Sequence, residues 1–352
     1  MLSDADGDSQ TRLRHFLDIA NPKIQRSRAN FDLTHMIKMD GYYELPFGKA
    51  HKLSYHPLDR VIGGWQHAGV AIGRAVLDSF GARGAVRGTL HILMAALWEQ
   101  LSGARVYDLG QPYFTGMPHW PAHPPFLFGL TKRHGDMVGP AGHSSAADAM
   151  ALGSHVGTHI DALCHFSCGG RLHGGHAVES LQSYSGGLEK FSVDTVAPIL
   201  RRGVLLDVAG SAGPLAEDCE IAPEQLEAAC QTEIRRGDVV LLRTGWARYF
   251  EDARRFVNET RLPGPGLAAA RWLSARGVFA AGSDTVAFEK SPAPEMPVHV
   301  HLLVESGIHI IECLNLEELA ADGVAEFLFV GVPMKIRGAT GAPMRPLAVV
   351  ER

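Results

Sequence analysis

Ser154-His155-Val156-Gly157-Thr158-His159-Ile160-Asp161-Ala162-Leu163-Cys164-His165-Phe166 gathers three imidazoles and a carboxylate into one short stretch. Such side chains can close on a divalent ion only where the backbone aims them at a common point. A helix would align His155 with His159. Val156, Gly157, Thr158 and Ile160 are poor helix formers, however, so the stretch reads as extended or turning. In an extended chain His159 and Asp161 share a face. Gly157 lets the backbone bend or come close to a metal, which would bring His155 and His165 round to that face.

The stretch resembles the His-x-Gly-Thr-His-x-Asp-x-x-x-His-Phe signature of the metal-dependent cyclase family, which includes bacterial kynurenine formamidases and isatin hydrolase. The resemblance continues upstream, where residues 106–109 read as a strand followed by Gln111-Pro112-Tyr113-Phe114-Thr115-Gly116-Met117-Pro118-His119-Trp120-Pro121. That loop is similar to the family's Met-Pro-x-Trp-Pro segment, which lines the substrate pocket. On physical grounds Phe114, Trp120 and Phe126 are rigid aromatic faces held by neighbouring prolines, on which a planar ring could stack.

Downstream, Gly169 to Gly175 is a glycine-rich turn without the order of a phosphate loop. Short apolar strands are predicted at 203–208, 237–246 and 278–284, with helices at 222–230 and 265–276 between them. Strands alternating with helices predict an α/β fold. Asp207, Asp238 and Asp284 near the strand ends read as turn residues. The closing 327–346 segment is similar to the family's Pro-Leu-Lys-Ile-x-Gly-x-Thr-Gly ending, so the resemblance spans about 106–350.

A second histidine-bearing stretch runs Met296-Pro297-Val298-His299-Val300-His301, leading to Ile311-Glu312. In the family, a histidine and a glutamate so placed complete the metal site, which here points to His299 and Glu312. If this stretch is extended, His301 shares a face with His299 and either could be the ligand. Glu312 is predicted to end a buried strand, where pairing with a metal would remove the cost of an isolated carboxylate.

The resemblance implies a single α/β domain over 105–352, with a central barrel-like mixed sheet and peripheral helices, the swivelling β/β/α fold of kynurenine formamidase-like proteins. It also implies that His155, His159 and Asp161 hold one metal, and that His165, His299 and Glu312 hold a second with Asp161 bridging. The alternative within the family is a single ion with His165 acting on the substrate side. Two Zn²⁺ or one Mn²⁺ suit the same imidazole and carboxylate donors. The implied activity is metal-dependent hydrolysis of an amide, cyclic amide or imide, or lactone of a small substrate, with water activated by the metal. His165, His301 and Glu312 are the candidate proton carriers. A metal-dependent lyase or dehydratase, or a non-catalytic metal-binding protein, are the alternatives.

The chain has 352 residues, 46% hydrophobic, 20% charged and a formal charge of −5. No dense basic block favours nucleic acid or an anionic membrane, which leaves a small molecule as the expected partner. The polar, acidic start lacks the pattern of a secretory signal, and five cysteines in no zinc-binding spacing read as free thiols. A cytoplasmic enzyme is expected. Residues 1–104, with apolar runs of helical spacing at 69–80 and 90–101, are predicted to form a mostly helical extension. The family resemblance implies a homo-oligomer, a dimer or tetramer, with this arm crossing between subunits.

Overall fold

The computed structural model describes residues 98–351. The expected helical arm over 1–104 lies almost wholly outside the described residues. The core is a curled nine-stranded mixed sheet built from β1 (Arg105–Asp108), β2 (His159–Asp161), β3 (Ile199–Asp207), β4 (Val239–Arg243), β5 (Ala280–Ser283), β6 (His309–Glu312), β7 (Glu326–Gly331), β8 (Gly341–Pro343) and β9 (Leu347–Val350). Their spatial order is β1-β9-β7-β3-β4-β5-β6-β2-β8. The central four, β3 to β6, are parallel, and antiparallel strands flank them on both sides.

Parallel neighbours need crossovers, and the chain supplies a helix for each. Helix α1 (Pro223–Ala229) joins β3 to β4, and α2 (Leu267–Ala275) joins β4 to β5. The connection from β5 to β6 runs through a long loop into α3 (Pro297–His299), which continues as a π-helical segment over Val300–Ser306. Strands covered on both faces should read as unbroken apolar runs, and Val239, Val240, Leu241 and Leu242 are each fully buried.

Side chains alternate across the sheet. Val204, Leu206, Val240, Leu242, Ala281 and Ile310 pack against Leu226, Ala269, Leu273, Val298 and Leu302 of the helices. Leu205, Val239, Leu241, Ala280, Ile311 and Ile160 pack on the other face with Tyr107, Phe327 and Phe329. Each such Val or Leu is worth roughly 1.5–3 kcal/mol of burial.

Strand β2 lies antiparallel to β6, with His159 opposite Glu312, Ile160 opposite Ile311 and Asp161 opposite Ile310. His159, Asp161 and Glu312 therefore share the helix-facing side, at the C-terminal end of the parallel strands. Shifting β2 by one residue would drive Asp161 into the apolar core, so burial fixes the register.

The three strand-end aspartates hold turns. Asp284 accepts from Thr244 N, Thr244 Oγ1 and Trp246 N at 2.9, 2.6 and 3.0 Å. Asp207 takes Gly210 N and Arg243, and Asp238 takes Arg235 N and Arg202. All five cysteines are unpaired. Among the described residues no helix is long and apolar enough to cross a membrane.

Candidate metal centre

The backbone before β2 turns as the glycine requires. Gly157 has φ +61°, a conformation open to glycine at little cost. A Cβ there would meet Tyr113 Cζ at 2.6 Å and Met117 Cε at 2.8 Å. The bend carries His155 back toward the strand, where its Nδ1 lies 2.7 Å from Asp161 Oδ1 and its Nε2 lies 2.8 Å from Thr340 Oγ1. Gly341 of β8 permits that approach, since a Cβ there would stand 2.6 Å from the His155 ring.

Two buried groups of ligand atoms result, His155 with His159 and Asp161, and Asp161 with His299 and Glu312. Asp161 is common to both. His159 Nε2 stands 3.5 Å from Asp161 Oδ1 and 3.5 Å from Glu312 Oε2. His299 Nε2 stands 3.9 Å from Asp161 Oδ2 and 3.4 Å from Glu312 Oε1. His159 Nδ1 lies 2.8 Å from Gly157 O, which places its proton there and leaves Nε2 as a lone-pair donor.

Whether these residues suit a metal is tested by the atoms left over. Among the described residues, His159 Nε2 and Asp161 Oδ2 are buried and find no hydrogen-bond partner. Orphaned buried polar atoms are rare and costly, and two aimed at one small space, both metal donors, fit a divalent cation. The electrostatics agree. Burial disfavours a charged His299 ring, yet the Glu289 and Glu312 carboxylates outweigh it and push its pKa up to about 10. His159 is raised in the same way, burial being overcome by Asp161 and Glu312. The space between the ligands draws positive charge.

His165 belongs to neither group of ligand atoms. Its ring stacks on His155, with centroids 3.9 Å apart, and lines the adjoining cavity. Burial, the largest influence, lowers its pKa to about 3, so it stays neutral. His301 is not brought to the site. The expected extended segment is helical, with Pro297 in its first turn, so two residues beyond His299 lies roughly half a turn round the helix. His301 Nε2 lies 2.8 Å from Ser274 Oγ and its Nδ1 lies 2.7 Å from Glu305.

The cavity, about 370 Å³, opens against His155, His299 and Glu312. Of the three aromatic residues expected to line it, Trp120 does. Phe114 instead packs edge-on to Phe250, and Phe126 edge-on to Tyr113, in the apolar cluster that lies behind Trp120, Val286 and Ala287, and neither ring lines the cavity. Further wall comes from Phe166, Thr260 and the loop after β5, through Val286, Ala287, Pro292 and Met296.

One residue of the centre escaped the sequence reading. Glu289, 1% exposed, accepts a hydrogen bond from His299 Nδ1. Glu289 ends the short apolar run Val286-Ala287-Phe288 and is followed by Lys290 and Ser291, so nothing local in the sequence marks it as a buried carboxylate. His123 faces His155 and His165 across the cavity, at ring centroid distances of 5.2 and 6.1 Å.

The family model described as putative cyclase matches residues 107–290, just over half of the chain. A second, described as an outer membrane beta barrel domain, matches residues 2–74, outside the described residues. The isatin hydrolase of Roseibium aggregatum is 27% identical over 215 residues, covering 58% of this chain and 74% of its own length. The kynurenine formamidase of Bacillus cereus is 25% identical over 243 residues, covering 68% of this chain and 94% of its own. Among solved structures, a novel cyclase at 27% identity superposes with a TM-score of 0.66 over 72% of this chain and 89% of that one.

Proposed function

Since the chain belongs to the putative cyclase family, we propose that it is a divalent-metal-dependent hydrolase of an amide, cyclic amide or imide, or lactone in a small ring-containing substrate. The observation that carries this reading is the pair of buried ligand groups sharing Asp161 and opening on one cavity. The relatives named isatin hydrolase and kynurenine formamidase support amide-type hydrolysis while differing in substrate.

His155, His159 and Asp161 would hold one ion, and Asp161, His299 and Glu312 a second, as Zn²⁺ or Mn²⁺. A bound divalent ion supplies Lewis acidity to the scissile carbonyl and makes water acidic enough to ionise near neutral pH. Trp120, Phe166, Val286 and Met296 give the ring an apolar slot and exclude bulk water. His165, neutral and exposed to the cavity beside His155, is the candidate to move a proton to the leaving nitrogen or oxygen.

The test is hydrolysis of N-formyl aromatic amines, cyclic amides and lactones in heavy-oxygen water, with metal content measured before and after chelation. Turnover that stops on chelation, returns with zinc or manganese, and places one heavy oxygen in the new carboxylate supports the proposal. Product without label would indicate a lyase or dehydratase, and turnover indifferent to chelation would remove the metal from the reaction.

For the slot, Trp120→Ala is expected to raise KM about tenfold, roughly 1.4 kcal/mol of lost ring contact, with metal content unchanged. An unchanged KM across the panel would take Trp120 out of substrate binding.

A further inference from the structure

Glu289 touches no cavity surface and offers no atom to either ligand group, yet it is as buried as Asp161. Its Oε1 accepts from the His299 ring at Nδ1 and from the His299 backbone N–H at 3.0 Å. Its Oε2 accepts from Val298 N at 3.2 Å. The two backbone groups are first-turn donors of α3, which have no partner inside their own helix. One carboxylate thus holds both the backbone and the ring of His299.

The ring contact has a chemical consequence. An imidazole that donates from Nδ1 presents Nε2 as its lone pair, and an anionic acceptor makes that lone pair more basic than a neutral one would. His299 Nε2 is the atom that faces Asp161 and Glu312. The other ligand histidines lack this support from outside the cluster. His159 Nδ1 meets the Gly157 carbonyl, and the outer nitrogen of His155 meets the Thr340 hydroxyl.

The same carboxylate sits on the loop that builds the cavity. Val286 and Ala287 precede it and Ser291, Pro292 and Met296 follow it along the wall. Phe288 N donates to Glu312 Oε1 at 2.9 Å, so successive residues of this loop are fastened to successive ligands of one group.

We propose that Glu289 is a positioning residue that sets the metal affinity of the Asp161–His299–Glu312 group by fixing the tautomer and direction of His299. It acts through His299 and touches neither substrate nor metal. This rests on the two-group metal reading above, and deepens it by making the two groups unequal: one histidine is backed by a carboxylate, the others by neutral oxygens.

The experiment is competition between the protein and a chromophoric chelator for Zn²⁺, on wild type, Glu289→Gln and Glu289→Asp, with thermal unfolding of each at zero and saturating zinc. Glu289→Gln is expected to weaken zinc at one position 10–100-fold, leave the other within about twofold, and shrink the zinc-induced rise in Tm. Glu289→Asp, which keeps the charge on a shorter arm, is expected to recover part of the affinity. Zinc affinities within twofold of wild type in Glu289→Gln would overturn the proposal. So would a variant whose Tm falls equally with and without zinc while its affinities stand, since that is the mark of a helix cap alone. A wild type that takes up no zinc or manganese would overturn the metal reading beneath it, and this is seen before any variant is made.

Discussion

Asp161→Asn is expected to empty both ligand groups and to lower kcat/KM by about 10,000-fold, roughly 5.5 kcal/mol at 1.36 kcal/mol per tenfold. The change is nearly isosteric, so the argument rests on charge. Asp161 alone contributes atoms to both groups, its Oδ1 beside His155 and His159 and its Oδ2 beside His299. An amide offers one oxygen and turns two N–H donors toward imidazole nitrogens that must themselves act as lone pairs. Replacing any other ligand leaves one group of three complete. Only Asp161 is shared, so only here should two metals per chain fall to none.

Stability supplies a second readout. A ligand held at a hundred times its dissociation constant adds about 2.7 kcal/mol to the folded state, several degrees in Tm. Wild type should gain that increment on adding zinc or manganese, and Asp161→Asn should not. Retention of one metal per chain with measurable turnover would show that one group suffices, and would move the chemistry away from the shared carboxylate.

Much of this centre was legible because it is local. His155, His159 and Asp161 sit so close along the chain that backbone geometry alone, a strand with a glycine bend before it, carries them together. The parallel strands were visible for the same reason, since a run such as Val239-Val240-Leu241-Leu242 has few homes other than a strand buried on both faces. What failed to show depended on packing between distant segments. His301 looked equivalent to His299 as long as 297–303 was taken as extended; the β-branched Val298 and Val300 favoured that reading, and packing of Val298, Leu302 and Leu303 against the sheet overrode it. Phe114 and Phe126 had the right chemistry for a ring slot, but nothing local foretold that Phe250 and Tyr113 would claim them. The antiparallel strands β7 and β9 pair with each other and with partners far away in sequence, and only the sheet defines them. Glu289 meets His299 through a loop whose path the sequence does not reveal.

Gly157→Ala should be among the most damaging single-methyl additions in the molecule, costing about 2–5 kcal/mol of stability and most of the bound metal. Two costs add. The left-handed backbone at φ +61° is worth roughly 1–2 kcal/mol against an L-residue. The new Cβ also stands 2.6 Å from Tyr113 Cζ, and crowding a packed site adds about 1–3 kcal/mol. Tyr113 cannot step aside freely, because its hydroxyl lies 2.7 Å from Val156 O and 3.0 Å from Thr158 O and its ring packs on Phe126. Thr158 is anchored too, its Oγ1 donating to Cys313 O at 2.6 Å beside Glu312. The strain must therefore pass to His155 and His159 on either side, and the Gly157 carbonyl that orients His159 moves with them. A drop in the denaturant midpoint, read together with metal per chain, checks this. Loss of stability with full metal occupancy would mean that the ligands adjust independently of the bend, and that the glycine serves packing alone.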